Sequence, residues 1–148
     1  ALPTVDGLLV LALDRKDPVF PDHPAARAVL TALRRLVDVV VLDDRSQLGL
    51  ESESQLLLVG ADVRSVAAAR MQAAGSSSPP SGLVVRTGAG RRLSEGTVSS
   101  ALGVPLVGAL REDRALPRLA EMGEPPLRGP AKRFRRDVAS IWEGMSHG

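Results

Sequence analysis

The chain has 148 residues, enough for one domain with its own core, and 44% hydrophobic with 24% charged residues is ordinary for a globular protein. Aromatic residues are only 2% (Phe20, Phe134, Trp142), so a core must be built from Leu, Val and Ala, and the absence of cysteine excludes disulfide frameworks, thiolate metal sites and a cysteine nucleophile. The formal net charge is +2, and the basic side is nearly all arginine, because Lys16 and Lys132 are the only lysines.

In chain order, "GLLVLAL" (7–13) is a short apolar run between Asp6 and Asp14 and predicts a strand. "DRKDPVFPDHP" follows as a proline-broken loop. Pro24 suits the first position of a helix, and Ala28, Val29, Leu33 and Leu36 then recur at helical spacing, which predicts a helix over 24–36. "VDVVVLDD" (37–44) reads as a strand buried on both faces, with Val39 and Val41 in the sheet and two carboxylates at its end. "SQLLLVG" (54–60) is another apolar strand. Asp62 can cap the next helix, whose predicted inner face is Val63, Val66, Ala67 and Met71.

After the flexible "GSSSPPSG" (75–82), "LVVR" (83–86) is a further strand and "TGAGRR" a loop. Ser94 caps a short helix that Gly103 ends. "VPLVGAL" (104–110) predicts a strand, with a helix from about 117 to 122 behind it. A last helix is predicted over 131–145, beyond the breaker "GEPPLRGP". The expected sheet gathers Val39, Val41, Leu57, Val59, Val84, Leu106 and Val107. Strands alternating with helices predict an α/β fold, a Rossmann-like, mostly parallel sheet with helices on both faces.

Few motifs carry chemistry. Asp43 sits where open α/β sheets bind ligands, beyond the carboxyl end of a strand, and there it would hold a Mg²⁺-bound water; from this stretch alone a turn or cap role is the commoner explanation. The phosphate-cradling pattern G-x-x-x-x-G-K-[ST] does not occur around Lys16 or Lys132. "RTGAGRR" (86–92) can form a backbone nest for an anion, or simply a loop. "LSEGTVSSALGVP" has the local look of a DNA-recognition helix, but a strand rather than a helix is predicted beside it. His23, between prolines, and His147, in the tail, are the only histidines, which argues against a histidine zinc site or a Ser-His-Asp triad.

In the tail, Phe134, Val138, Ile141, Trp142 and Met145 form one apolar stripe behind Lys132, Arg133, Arg135 and Arg136. Such a helix docks on its own domain, binds a partner or lies on an anionic membrane; with about 1 kcal/mol per basic residue, membrane attachment is expected to be weak. No apolar run reaches the roughly 20 residues of a span, and no basic n-region precedes an apolar stretch, so a cytoplasmic protein is expected, at most peripheral to the membrane.

Taken together, "RRLVDVVVLDD" (34–44), "LLLVGADVRSVAAAR" (56–70), "SGLVVRTGAG" (81–90) and "ALGVPLVGALREDRALPRLAEMGEPPL" (101–127) resemble the C-terminal half of the MinD/ParA-like P-loop ATPases. The likeness is greatest to the actinobacterial septum site-determining proteins and the CpaE/TadZ-like pilus-localising proteins. The resemblance implies a partial or degenerate P-loop NTPase fold that lacks the phosphate loop over 1–127, followed by the basic amphipathic helix over 128–148. It implies that Asp43 is the catalytic and magnesium-binding carboxylate. It puts Asp62 near the nucleotide sandwich of a homodimer, and Arg86 and Thr87 at the adenine. Arg133, Phe134, Arg136, Val138, Ile141 and Trp142 would form the partner or membrane helix. ATP and Mg would bind only if a phosphate loop is supplied from elsewhere. The implied role is a regulatory or positioning protein of septum or pilus placement that dimerises and recruits division or pilus-assembly proteins. Two other classes compete with it: a basic nucleic-acid-associated protein, favoured by the arginines and a pI near 9.9 but disfavoured by the few aromatics, and a small α/β enzyme without a recognisable nucleophile–base pair.

Overall fold

The computed structural model describes residues 4–5, 7–12, 16, 23–43, 52–75, 79–127 and 129–146. Two compact units divide the chain, Ala1–Glu51 and Ser52–Gly148.

In the first unit, β1 (Thr4–Val5) pairs antiparallel with β2 (Leu8–Leu9) through a turn at Gly7, whose φ of 82° favours a residue without Cβ. The predicted strand over 7–13 is therefore only the second half of a small hairpin, and Leu8 and Leu11 remain exposed. Helix α1 (His23–Leu33) begins where expected but ends before Leu36, with Ala26 buried and Leu30 and Leu33 half-buried, whereas Ala28, Val29 and Leu36 of the expected stripe are exposed.

The structure overturns the strand expected at residues 37–43. These residues adopt neither helix nor strand, and Val41 is 82% exposed. Val39 is exposed as well, so neither valine belongs to a buried sheet. Valine's β preference reflects its fit to a pleated, half-buried surface, and the run forms a strand only where an edge is present to pair with it.

The second unit holds a three-stranded parallel sheet in the order β3 (Leu56–Gly60), β4 (Gly82–Thr87), β5 (Leu106–Arg111). Helix α2 (Val63–Ala74) connects β3 to β4, and α3 (Glu95–Leu102) connects β4 to β5. Leu57, Val59, Leu83 and Val85 point to one face, where Val66 and Ala69 of α2 and Val98 of α3 close the core. Burying a valine or leucine this fully stabilises the fold by about 1.5–3 kcal/mol. Polar links support the packing. The Arg70 guanidinium donates to the Ala101 carbonyl at 3.0 and 2.7 Å, satisfying the open end of α3, and the Ser99 hydroxyl donates to the Val104 carbonyl.

The inner face of α2 differs from the predicted one. Val66 is buried as expected, but Ala69 accompanies it, whereas Val63 and Met71 are 72% and 78% exposed and Ala67 is exposed too. Small residues let the helix lie close to the sheet, so the larger apolar side chains do not mark its inward side. Leu106, expected inside, is 44% exposed beside a register shift between β4 and β5.

Val84 and Gly108 are register partners on the opposite face. There α5 (Lys132–Ser146) packs along β5, and a Cβ on Gly108 would lie 2.7 Å from Cγ1 of Ile141. Helices thus cover both faces of a Rossmann-like α/β sheet. α4 (Ala115–Glu121) lies between β5 and α5 in sequence, with Leu119 buried. Among the described residues, no helix is long and apolar enough to cross a membrane.

Candidate functional site

Parallel strands end together, so backbone groups and the side chains of the following loops collect beyond their carboxyl ends. In the second unit that edge comprises Gly60–Asp62, Thr87–Ala89 and Arg111–Arg114.

Beside β3, the Asp62 carboxylate caps α2. Oδ1 accepts from the Ser65 amide at 2.9 Å and Oδ2 from the Ser65 hydroxyl at 2.8 Å. These two bonds hold its pKa below the ordinary value, against a smaller opposing effect of burial and with help from Arg91. Nε of Arg91 lies 3.7 Å from Asp62 Oδ2 and has no hydrogen-bond partner. Gly60 permits this crowding: a Cβ there would stand 2.6 Å from Ser65 Oγ and 2.8 Å from Asp62 Oδ2.

Beside β5, Asp137 of α5 is 5% exposed, the one buried charged residue among the described residues. The Arg111 backbone N–H donates to its Oδ2 at 2.9 Å, and the Arg111 guanidinium donates to both carboxylate oxygens through Nε at 3.1 Å and to Oδ1 through Nη2. The guanidinium bonds depress the Asp137 pKa despite burial, and the same bonds raise that of Arg111. Asp113 joins two helix starts, since Oδ1 accepts from the Ala115 amide at 3.0 Å and Oδ2 from the Phe134 amide at 3.3 Å. Its pKa is lowered, first of all by the Ala115 bond. Glu112 accepts from the Ala89 amide at 3.0 Å and so fixes the loop after β4.

Two adjoining open cavities lie here. One, of about 350 Å³, is lined by Thr87, Gly88, Arg111, Glu112, Arg114 and Arg133, among others. The second, of about 380 Å³, has Leu110, Leu116, Pro117 and Phe134 in its wall, with Arg86 at its margin. Arg111 and Glu112 belong to both.

The residues singled out from sequence are thus placed as follows. Asp62 is a helix cap. Arg86, Thr87, Arg133 and Phe134 share the carboxyl edge of β4 and β5. Val138 and Ile141 are half-buried on α5, whereas Arg136 is exposed and Trp142 is 51% exposed. Asp43 is an exposed residue of the first unit, at the end of a segment that is not a strand, so the strand-end argument for a metal there fails. Among the described residues, no group of three or more His, Cys, Asp and Glu could hold a metal ion.

Sequence reasoning missed Asp137, Asp113, Glu112 and Arg114. A signal for Asp137 existed. It stands three residues after Phe134 and four before Ile141, so a carboxylate falls on the apolar stripe of the helix, where it must find a cation or an amide.

No family model matches the chain, and no curated protein matches it.

Proposed function

We propose that the protein is a regulatory or positioning factor of bacterial septum or pilus placement, as the MinD/ParA-like resemblance implies, which acts by dimerising and recruiting partners rather than by chemistry at these residues. One observation carries the second half of this reading. The three carboxylates at the carboxyl edge with displaced pKa values, Asp62, Asp113 and Asp137, are all held low by donors from the chain itself. A catalytic general acid requires the opposite, a carboxyl raised towards neutrality by burial or like charge. These groups stay ionised and act as fasteners of α2, α4 and α5.

The parallel sheet with helices on both faces over Ser52–Gly148 supports the first half, since three of the four stretches that carry the resemblance lie there, while residues 37–43 of the fourth form no strand. Titration calorimetry of the chain with Mg-ATP tests inertness: no heat of binding and no phosphate release are expected, and micromolar binding with turnover would defeat the proposal. Light scattering on eluted protein tests dimerisation. A monomer mass at all concentrations up to the millimolar range removes that part.

A further inference from the structure

We propose that the double cavity at the carboxyl ends of β4 and β5 is a binding site for a small organic monoanion, its charged head against Arg111, Arg114 and Arg133 and its apolar body against Leu110, Leu116, Pro117 and Phe134. This goes beyond the proposed positioning role and does not depend on it.

The two cavities differ in chemistry and share Arg111 and Glu112 in their linings, so they adjoin. The first is a basic recess at the level of the β4 and β5 ends; the second has aliphatic and aromatic walls supplied by β5, α4 and α5. A few convergent polar groups beside an apolar wall are the usual make-up of a small-molecule site.

Charge sets the valence of the head. Arg86, Arg111, Arg114 and Arg133 line the two cavities, against Glu112 and Asp113 in their walls and Asp137 on the far side of Arg111. Four guanidiniums therefore face three carboxylates, leaving one positive charge to be neutralised. All three carboxylates already accept hydrogen bonds: Asp137 from Arg111, Glu112 from the Ala89 amide, and Asp113 from the Ala115 and Phe134 amides. Arg114 opens α4 with its side chain uninvolved in capping, and it is exposed, as is Arg133. Arg114 can turn to a ligand without breaking a helix cap, whereas the charge of Arg133 also acts on Asp113 and Asp137. A guanidinium offers paired donors that match a planar carboxylate better than a point cation does.

The test is amide chemical-shift titration of the full chain with 3-phenylpropionate, 3-phenylpropanol and phenyl phosphate. The acid is expected to give saturable, millimolar shifts at Thr87–Ala89 and Arg111–Leu116. The neutral alcohol should bind at least about tenfold more weakly, the loss expected when charge-assisted hydrogen bonds are removed. Phenyl phosphate, with a second charge, should bind no tighter than the acid. The double variant R114Q/R133Q should weaken the acid about tenfold, whereas R118Q, on exposed α4 surface outside both cavities, should leave it unchanged. No saturable shift, shifts centred elsewhere, equal binding of the alcohol, tighter binding of the phosphate, or an equal loss with R118Q would each overturn the proposal.

Discussion

Asp137 and Arg111 form an unequal pair: the carboxylate's side chain is 4% exposed and the guanidinium's 50%. Water can therefore solvate one partner and not the other, and the cost of losing each differs. Arg111→Met leaves a buried carboxylate with one backbone donor and should cost about 3 kcal/mol. Asp137→Asn leaves a guanidinium already half in water and should cost about 1 kcal/mol. Urea denaturation of both variants measures this. Equal losses would mean that Asp137 is solvated in the folded protein.

The same pair sets an acid dependence. Asp137 has a folded pKa below its ordinary value of 3.8, first through the Arg111 bonds, and Asp62 and Asp113 are depressed too. A depressed carboxyl adds stability that is fully present above the unfolded-state value and is lost as pH falls through the folded one. Stability is expected to be level above about pH 5 and to fall on further acidification. Asp137→Asn should show a shallower fall. A variant curve parallel to that of the parent would show that Asp137 is not among the groups responsible.

Gly108 and Ile141 give a packing prediction. A Cβ at Gly108 would lie 2.7 Å from Ile141 Cγ1, so Gly108→Ala must push α5 away from β5. Overpacking of this kind costs about 1–3 kcal/mol. Ile141→Ala removes the obstructing atoms, and the double variant should be destabilised by clearly less than the sum of the two single changes. Additive losses would show that the two positions do not touch.

The second unit was largely legible in the sequence, because its signals were local and mutually consistent. "LLLVG", "LVVR" and "VPLVGAL" became β3, β4 and β5, and Asp62 and Ser94 cap the helices they were expected to cap. Gly103 ends α3 in the left-handed region, at φ 68°. What sequence missed depends on partners distant in the chain. Ala69 rather than Met71 faces the core because closeness to the sheet, not side-chain size, selects the inner face of α2. Asp137 needs Arg111, 26 residues away, before its place on an apolar stripe makes sense. The basic recess likewise joins Thr87, Arg114 and Arg133, which no spacing rule connects.

The valine run at 37–43 supplies the final prediction, through a comparison with β4. Val41 is 82% exposed, so Val41→Asp puts a carboxylate into water, where it keeps its hydration; the expected change is within about 0.5 kcal/mol. Val85 is fully buried between Val59, its register partner on β3, and Ala109 on β5, on the face that α2 and α3 close. Val85→Asp places an unpaired carboxyl in that core and should cost several kcal/mol, or abolish folding. Both residues are valines in β-branched runs, so composition alone assigns them the same fate. Thermal melts of the two variants separate burial from propensity. A Val41→Asp protein that melts far below the parent would return residues 37–43 to a buried strand, and with it the case for Asp43 at a strand end.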